Sequence, residues 1–407
     1  MAIQQSLNPQ TSDAKRTQVR NLMLLLIAVA FFGATTGIYD TTFNNYVSET
    51  FNPPANARGA LELPREFPGF LVAISAGLLA KYRHNRIAGL TTILTALGYI
   101  GLGYFSPTYS AMILWMVVWS IGVHVYMPFE SSLALATAQD GQGGKRLGQL
   151  EGVKTAAVVA GATIVWLGTD YLHLSFREFF TITAVTSILA ALTYFCINVP
   201  PIERSNTKRR FLFDRHYSLY YLLSVLYGAR KQVFMTFGPW LLIKVLGEPA
   251  STIAKLWIAA AVLGIIFRPY LGRLIDRTGE RIVLMADAIL VFLICFGYGY
   301  APTMGWGVWG VRLLYFCFVL DQLLVATTMA RTMYLYNILK KKEDLTPTLS
   351  MGISIDHAVS MCAPLFAGLI WDKFGYTTVF VGAAGITLLN LIATYFIPSG
   401  RYRPSQT

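Results

Sequence analysis

Three short polar runs, Arg230-Lys231-Gln232, Asp321-Gln322 and Asp356-His357, each interrupt a long apolar stretch well away from its ends. An ionisable side chain at the centre of a bilayer costs at least about 2.5–3.5 kcal/mol on insertion scales, so such groups face a protein interior or a wet cavity and pair there. Two chemistries suit them. Cations and amides bind a polar solute. A carboxylate whose cationic partner is drawn away to a substrate anion takes up a proton, which couples proton movement to solute movement. Asp321 with Arg230 or Lys231 is the leading pair for this exchange, with Asp40 next. Histidine titrates near neutral pH, which adds His357 to the candidates. Neighbouring residues on a helix point about 100° apart. Arg230 and Lys231 therefore cannot face one spot, nor can Asp356 and His357; in each pair one residue is expected to meet substrate and the other to brace a neighbouring helix.

A second polar set lies in the first half of the chain. Asp40 and Asn44 are spaced i,i+4 and share a helix face, with Asn45 beside them. Glu62 and Glu66 share a face in the same way, with Arg65 between them, and Asp40 and Arg65 are expected at similar depth as a pair. Pro64 and Pro68 should loosen this helix end. His124 is central in its run; a single histidine there is commonly a hydrogen-bonded core residue. Glu130, the i,i+3 neighbours Glu151 and Lys154, and Arg268, Asp287 and Arg331 read as lying toward the inner ends of helices, where long cations snorkel to the interface.

The elements that must position these residues are membrane helices. Of 407 residues, 55% are hydrophobic and 13% charged, against roughly 25% charged in soluble domains. Mean hydropathy is +0.51. The net charge of +12 could suggest nucleic acid, but the basic residues sit in short clusters between apolar runs, so no nucleic-acid partner is expected. A helix needs about 20 mostly apolar residues to cross the hydrocarbon core. The pattern predicts twelve spans, near 21–46, 60–80, 87–106, 109–135, 148–168, 176–198, 217–245, 252–272, 281–300, 307–334, 347–370 and 375–397.

Lys and Arg concentrate on one side of this arrangement: Lys15, Arg16 and Arg20; Lys81, Arg83 and Arg86; Lys145 and Arg146; Arg204, Lys208, Arg209, Arg210 and Arg215; Arg273, Arg277 and Arg281; Lys340, Lys341 and Lys342; Arg401 and Arg403. The other side holds Arg58, Arg177, Lys244, Lys255, Arg312 and Lys373. The bias places both termini in the cytoplasm and the protein in a plasma (inner) membrane as a multi-pass chain. The expected organisation is a cytoplasmic tail 1–20, a six-helix bundle 21–198, a cytoplasmic linker 199–216 with Pro200-Pro201, a second six-helix bundle 217–398, and a cytoplasmic tail 399–407. The first apolar run is too long for the core of a cleaved leader. Cys196, Cys295, Cys317 and Cys362 form no CxxC pair, so neither a metal site nor a disulfide framework is expected, and no cofactor is implied.

The run Gly272-Arg273-Leu274-Ile275-Asp276-Arg277-Thr278-Gly279-Glu280-Arg281 has a weaker counterpart at Gly77–Arg86, at the matching helix junction of the first half. Repeated halves are a common transporter architecture. The Gly-x-Leu-x-Asp-Arg-x-Gly-x-Arg pattern resembles the signature loop of the major facilitator superfamily; the first copy departs from it at Lys81 and His84. The resemblance implies an all-α integral membrane fold of twelve helices in two six-helix halves. It implies that spans one, four, seven and ten line the cavity, and that the loop carrying Gly272, Asp276, Arg277, Gly279 and Arg281 stabilises an outward-open state. Gly272 is expected to allow a close helix approach.

The function expected is secondary active transport by alternating access, proton-coupled, of a small polar solute. Two mid-depth cations favour an anion; the acids beside them leave a zwitterion or a sugar open. The protein is expected to act as a monomer. An exporter of drugs or hydrophobic compounds is the first rival, weakened by the lack of proline in span five, Gly148–Gly168. A membrane sensor or scaffold without transport is the second. An enzyme is not expected: Asp140-Gly141-Gln142-Gly143-Gly144-Lys145 lacks the Ser or Thr that a phosphate loop requires after its lysine.

Overall fold

A computed structural model describes residues 9–79, 81–138, 142–198, 212–341 and 344–398. Most of the expected linker, both extreme ends of the chain, and Asp140-Gly141 of the phosphate-loop-like run lie outside the described residues, as do Arg204, Lys208, Arg209, Arg210, Lys342, Arg401 and Arg403. Every regular element among the described residues is helical.

The helices in chain order are α1 (Pro9–Phe51), α2 (Ala55–Ala60), α3 (Glu62–Phe70), α4 (Val72–Leu79), α5 (His84–Tyr104), α6 (Tyr109–Ala136), α7 (Gly143–Asp170), α8 (Phe176–Cys196), α9 (Ser218–Leu246), α10 (Ala250–Thr278), α11 (Glu280–Tyr300), α12 (Val308–Leu324), α13 (Thr328–Asn337) and α14 (Leu345–Tyr395). Their ends follow local chemistry. Thr108 accepts a hydrogen bond from the Ala111 N–H at the start of α6, and Ser175 and Glu178 form a capping box at the start of α8. Gly279 (φ 85°) separates α10 from α11, and Gly375 (φ 83°) breaks α14 into two helical stretches. That backbone region favours glycine.

Nine helices among the described residues are long and apolar enough to cross a membrane. The segment read as span two is not one helix. Prolines 64 and 68 fall inside it, and the chain folds as α2, α3 and α4 instead. The segments read as spans eleven and twelve fall within α14, on either side of Gly375. Helix α9 has the length of a span but carries Arg230, Lys231, Gln232 and Lys244.

The chain divides into two compact units. The first comprises residues 1–39, 74–161 and 175–205. Its core gathers Leu25, Phe32, Tyr126, Leu150 and Tyr194, and Tyr39 stacks on Trp119 with ring centroids 4.0 Å apart.

The second unit comprises residues 40–73, 162–174 and 206–407. Tyr217, Tyr220, Leu271, Val283, Tyr334 and Leu335 form one of its cores. Here α2 and α3 pack against α14. The approach is close enough that a Cβ on Gly59 would collide with the Pro364 carbonyl oxygen. The Asp372 carboxylate, on α14, accepts from the N–H groups of Ala55 (3.0 Å) and Asn56 (2.9 Å) and so caps α2.

Candidate functional site

Helices α9, α11 and α12 bring one cation and two carboxylates together in the second unit. Arg230 Nη1 donates to Asp287 Oδ2 at 2.9 Å, and Arg230 Nη2 stands 3.6 Å from Asp321 Oδ1. All three side chains are at most 5% exposed. The guanidinium also lies 5.6 Å from the centre of the Tyr227 ring. The expected pairing of Arg230 with Asp321 is present as an ion pair, and Asp287 joins it as the nearer partner.

A second network runs from α1 through α2 and α3 to α9 and α14. Arg58 Nη1 donates to Glu62 Oε1 at 2.6 Å, and Arg58 Nε and Nη2 donate to Asn44 Oδ1 at 3.1 and 2.8 Å. Arg65 reaches Glu62 Oε2 at 2.7 Å and Glu66 Oε1 at 3.1 Å, the carboxylates of its own helix. Gln232 Nε2 donates to Glu62 Oε2 at 2.8 Å. Glu62 is fully buried, with two guanidiniums and an amide around it. His357 Nδ1 shares a 3.0 Å hydrogen bond with Glu66 Oε2, and Lys231 Nζ donates to Asp356 Oδ2 at 2.5 Å.

These partners settle how the adjacent pairs divide. Arg230 turns to α11 and α12 while Lys231 turns to α14. Asp356 turns to α9 while His357 turns to α3. Asp40 on α1 and Gln322 on α12 are half-buried.

In the first unit His124 is buried, and its Nδ1 lies 3.0 Å from Ser120 Oγ and 2.9 Å from Ser120 O. Lys154 reaches across to Glu130 at 3.0 Å. Glu130 also accepts from Tyr126 Oη at 2.8 Å, and Tyr126 and Tyr194 hydroxyls meet at 2.6 Å.

The loop resembling the family signature has Asp276 and Arg277 exposed, and the Arg281 guanidinium over the Tyr395 ring at 4.7 Å. Gly272 does not serve a close approach: a Cβ there would meet nothing within 4 Å among the described residues. Its surroundings are open, and the glycine that the backbone requires is Gly279.

Sequence reading undervalues three residues. Arg58 reads as an outer loop cation, yet it is 1% exposed. The i,i+4 spacing of Arg58, Glu62 and Glu66 is the signal for it. Asp287 reads as an inner-end residue. Arg331 reads as snorkelling, but its guanidinium lies 4.1 Å from the Tyr227 ring centre, next to Asp287 in the lining of one cleft. Arg230, Asp287 and Asp321 together can hold a proton or a charged solute group, since a cation and two carboxylates meet there out of bulk water.

Residues 67–339 match the family model of the Major Facilitator Superfamily. No curated protein matches the chain. Among solved structures, a variant of the nucleoside transporter NupG aligns with a TM-score of 0.77 at 14% identity, covering 93% of this chain and 99% of that one. A bacterial homolog of the human lysosomal transporter Spinster aligns at 0.72 and 14%, covering 94% and 96%. The POT family transporter PepTSo aligns at 0.73 and 11%, covering 93% and 97%. At these identities the likeness establishes the fold.

Proposed function

This chain belongs to the Major Facilitator Superfamily and is a multi-pass membrane transporter; on that premise we propose that it moves a small polar solute by alternating access, coupled to protons, with Asp321 and Arg230 as the coupling pair. The observation that carries this reading is the placement of one guanidinium between two buried carboxylates. A site with that balance can exchange a carboxylate partner for a substrate anion, leaving a carboxylate to take up a proton. Lys231 with Asp356, and Glu66 with His357, add polar groups on α9, α3 and α14. In this reading the two halves are 21–198 and 217–398, joined by a cytoplasmic linker 199–216, and the protein works as a monomer in a plasma (inner) membrane with both termini cytoplasmic. The loop at 272–281 controls the change of state.

Purified protein is first screened by thermal shift against organic anions, sugars and amino acids. The compound that raises the melting temperature is then followed into proteoliposomes under an imposed pH gradient. Asp321→Asn is expected to remove the dependence of uptake on the gradient. Wild-type uptake with unchanged pH dependence in that variant would falsify the coupling assignment.

A further inference from the structure

The charge balance around Arg230 is uneven, and the helix beside it is broken. Helix α12 ends at Leu324, a single 3-10 turn spans Val325–Thr327, and α13 begins at Thr328. Threonine hydroxyls bonding back to the chain favour such a break. Thr327 Oγ1 donates to the Leu324 carbonyl at 2.7 Å. Thr328 Oγ1 lies 2.8 Å from the Val325 carbonyl and 2.9 Å from Tyr227 Oη. A 3-10 stretch within a longer helix commonly marks a functional position.

The break borders a cleft of about 10 Å³, lined by Tyr227, Asp287, Thr327, Thr328, Arg331 and Asn390 among others. That is room for one water molecule, and polar partners stand on its walls. Two buried polar atoms of this lining meet no partner at full hydrogen-bonding geometry among the described residues: Asp287 Oδ1, an acceptor with the Thr327 hydroxyl beside it, and Arg331 Nη1, a donor. Leaving a buried charged group unsatisfied costs more than leaving a neutral one so. Asp287 itself is 3% exposed, and its other oxygen is taken by Arg230.

We propose that a water molecule in this cleft carries protons to and from the Asp287–Arg230–Asp321 cluster, with Asp287 as the carboxylate that exchanges them. The inference rests on the reading that this cluster is the coupling site. In the step, an O–H bond of a hydronium ion in the cleft breaks as an O–H bond forms at Asp287 Oδ1. The net charge of these three side chains rises from minus one to zero, with the Arg331 guanidinium beside Asp287 unchanged. Arg230 is then left with a single ionised partner, Asp321, and release reverses the step. The titratable and charged groups around the cluster are Tyr227 on α9, Cys295 and Tyr298 on α11, Cys317 on α12 and Arg331 on α13. From α14 the cleft receives the neutral Asn390.

The probe is the proton itself, so no solute is needed. Infrared spectra of the purified protein follow the protonated-carboxyl band through the neutral pH range and its shift on transfer to D₂O. Asp287→Asn and Asp321→Asn are each expected to abolish the band, because either change leaves one carboxylate to one guanidinium. Thr328→Leu, which fills the cleft, should keep the band but slow its hydrogen–deuterium exchange at least tenfold, as loss of this water-sized space requires. Asn390→Leu is the second variant, read the same way if Thr328→Leu does not give a folded protein. Exchange at the wild-type rate in the folded cleft variant overturns the route, and survival of the band in Asp287→Asn overturns the role of Asp287. Neither result touches the coupling assignment, which fails separately if Asp321→Asn retains gradient-driven uptake.

Discussion

Gly228 on α9 and Asp356 on α14 meet where the two helices cross, and a Cβ at position 228 would stand 2.7 Å from Asp356 Oδ1 and 3.2 Å from its carbonyl oxygen. Backbone as well as side chain fills the space, so a rotamer change alone cannot make room. Gly228→Ala must therefore push α14 away by a few tenths of an ångström and displace the Asp356 carboxylate, which Lys231 holds. Overpacking of this kind costs about 1–3 kcal/mol. The expected outcome is a lower melting temperature in detergent together with weakened transport. An alanine variant that melts and transports like the parent would show that this crossing is not rigid.

Arg230 is the cation that two buried carboxylates depend on. Removing one partner from a buried ion pair costs about 3–5 kcal/mol, because the remaining charge is left uncompensated. Arg230→Met alone should therefore destabilise severely. The triple variant Arg230→Met, Asp287→Asn, Asp321→Asn removes the charges together and should recover most of the lost melting temperature, without recovering coupling. Equal melting temperatures for the single and the triple variant would mean that the three residues do not act as one electrostatic unit.

The same cluster shows what a linear reading can and cannot reach. Depth along a span is visible in the sequence, and it locates Arg230 and Asp321 at compatible levels. Which face of a helix meets which neighbour is not visible. Asp287 is therefore placed only by its distance from the start of its run, although α11 turns it toward α9. Arg58 escapes for a different reason. Pro53-Pro54 ends α1 and reads as a surface loop, but the chain turns straight into α2 and buries the guanidinium against Asn44 and Glu62. The prolines of span two give a correct warning of irregularity. Of the three separate helices that result, α2 and α3 pack against α14, which lies some 300 residues away in the chain.

Glu62 binds both Arg58 and Arg65, but the two cations differ in burial: 1% against 16% side-chain exposure. Removal of Arg58 should cost about 3–5 kcal/mol, since Asn44 and Glu62 both lose their buried donor. Arg65 is closer to water, so its ion pairs are partly screened. Arg65→Leu should thus lower the melting temperature less than half as far as Arg58→Leu. The reverse order would indicate that α3, and not α2, anchors this network.

Asp214 offers a pH test outside the membrane-spanning helices. Its carboxylate accepts from Lys340 Nζ at 2.8 Å and from the His216 N–H at 2.8 Å. The Lys340 hydrogen bond, then the His216 backbone bond, hold its pKa below the usual carboxylate value of 3.8. A carboxylate depressed in the folded state stabilises above its unfolded value, and that contribution disappears as pH falls through the lower, folded value. Asp214→Asn should therefore melt slightly below the parent at neutral pH, with the gap closing as the solution becomes more acid than the unfolded carboxylate range. The Lys340 side chain is 48% exposed and that of Asp214 33%, so added salt should narrow the gap as well. Thermal melts of the two proteins across pH, at low and high ionic strength, measure this directly. A gap that persists in strong acid would assign the effect of Asp214 to its cap on the turn before α9 and not to its charge.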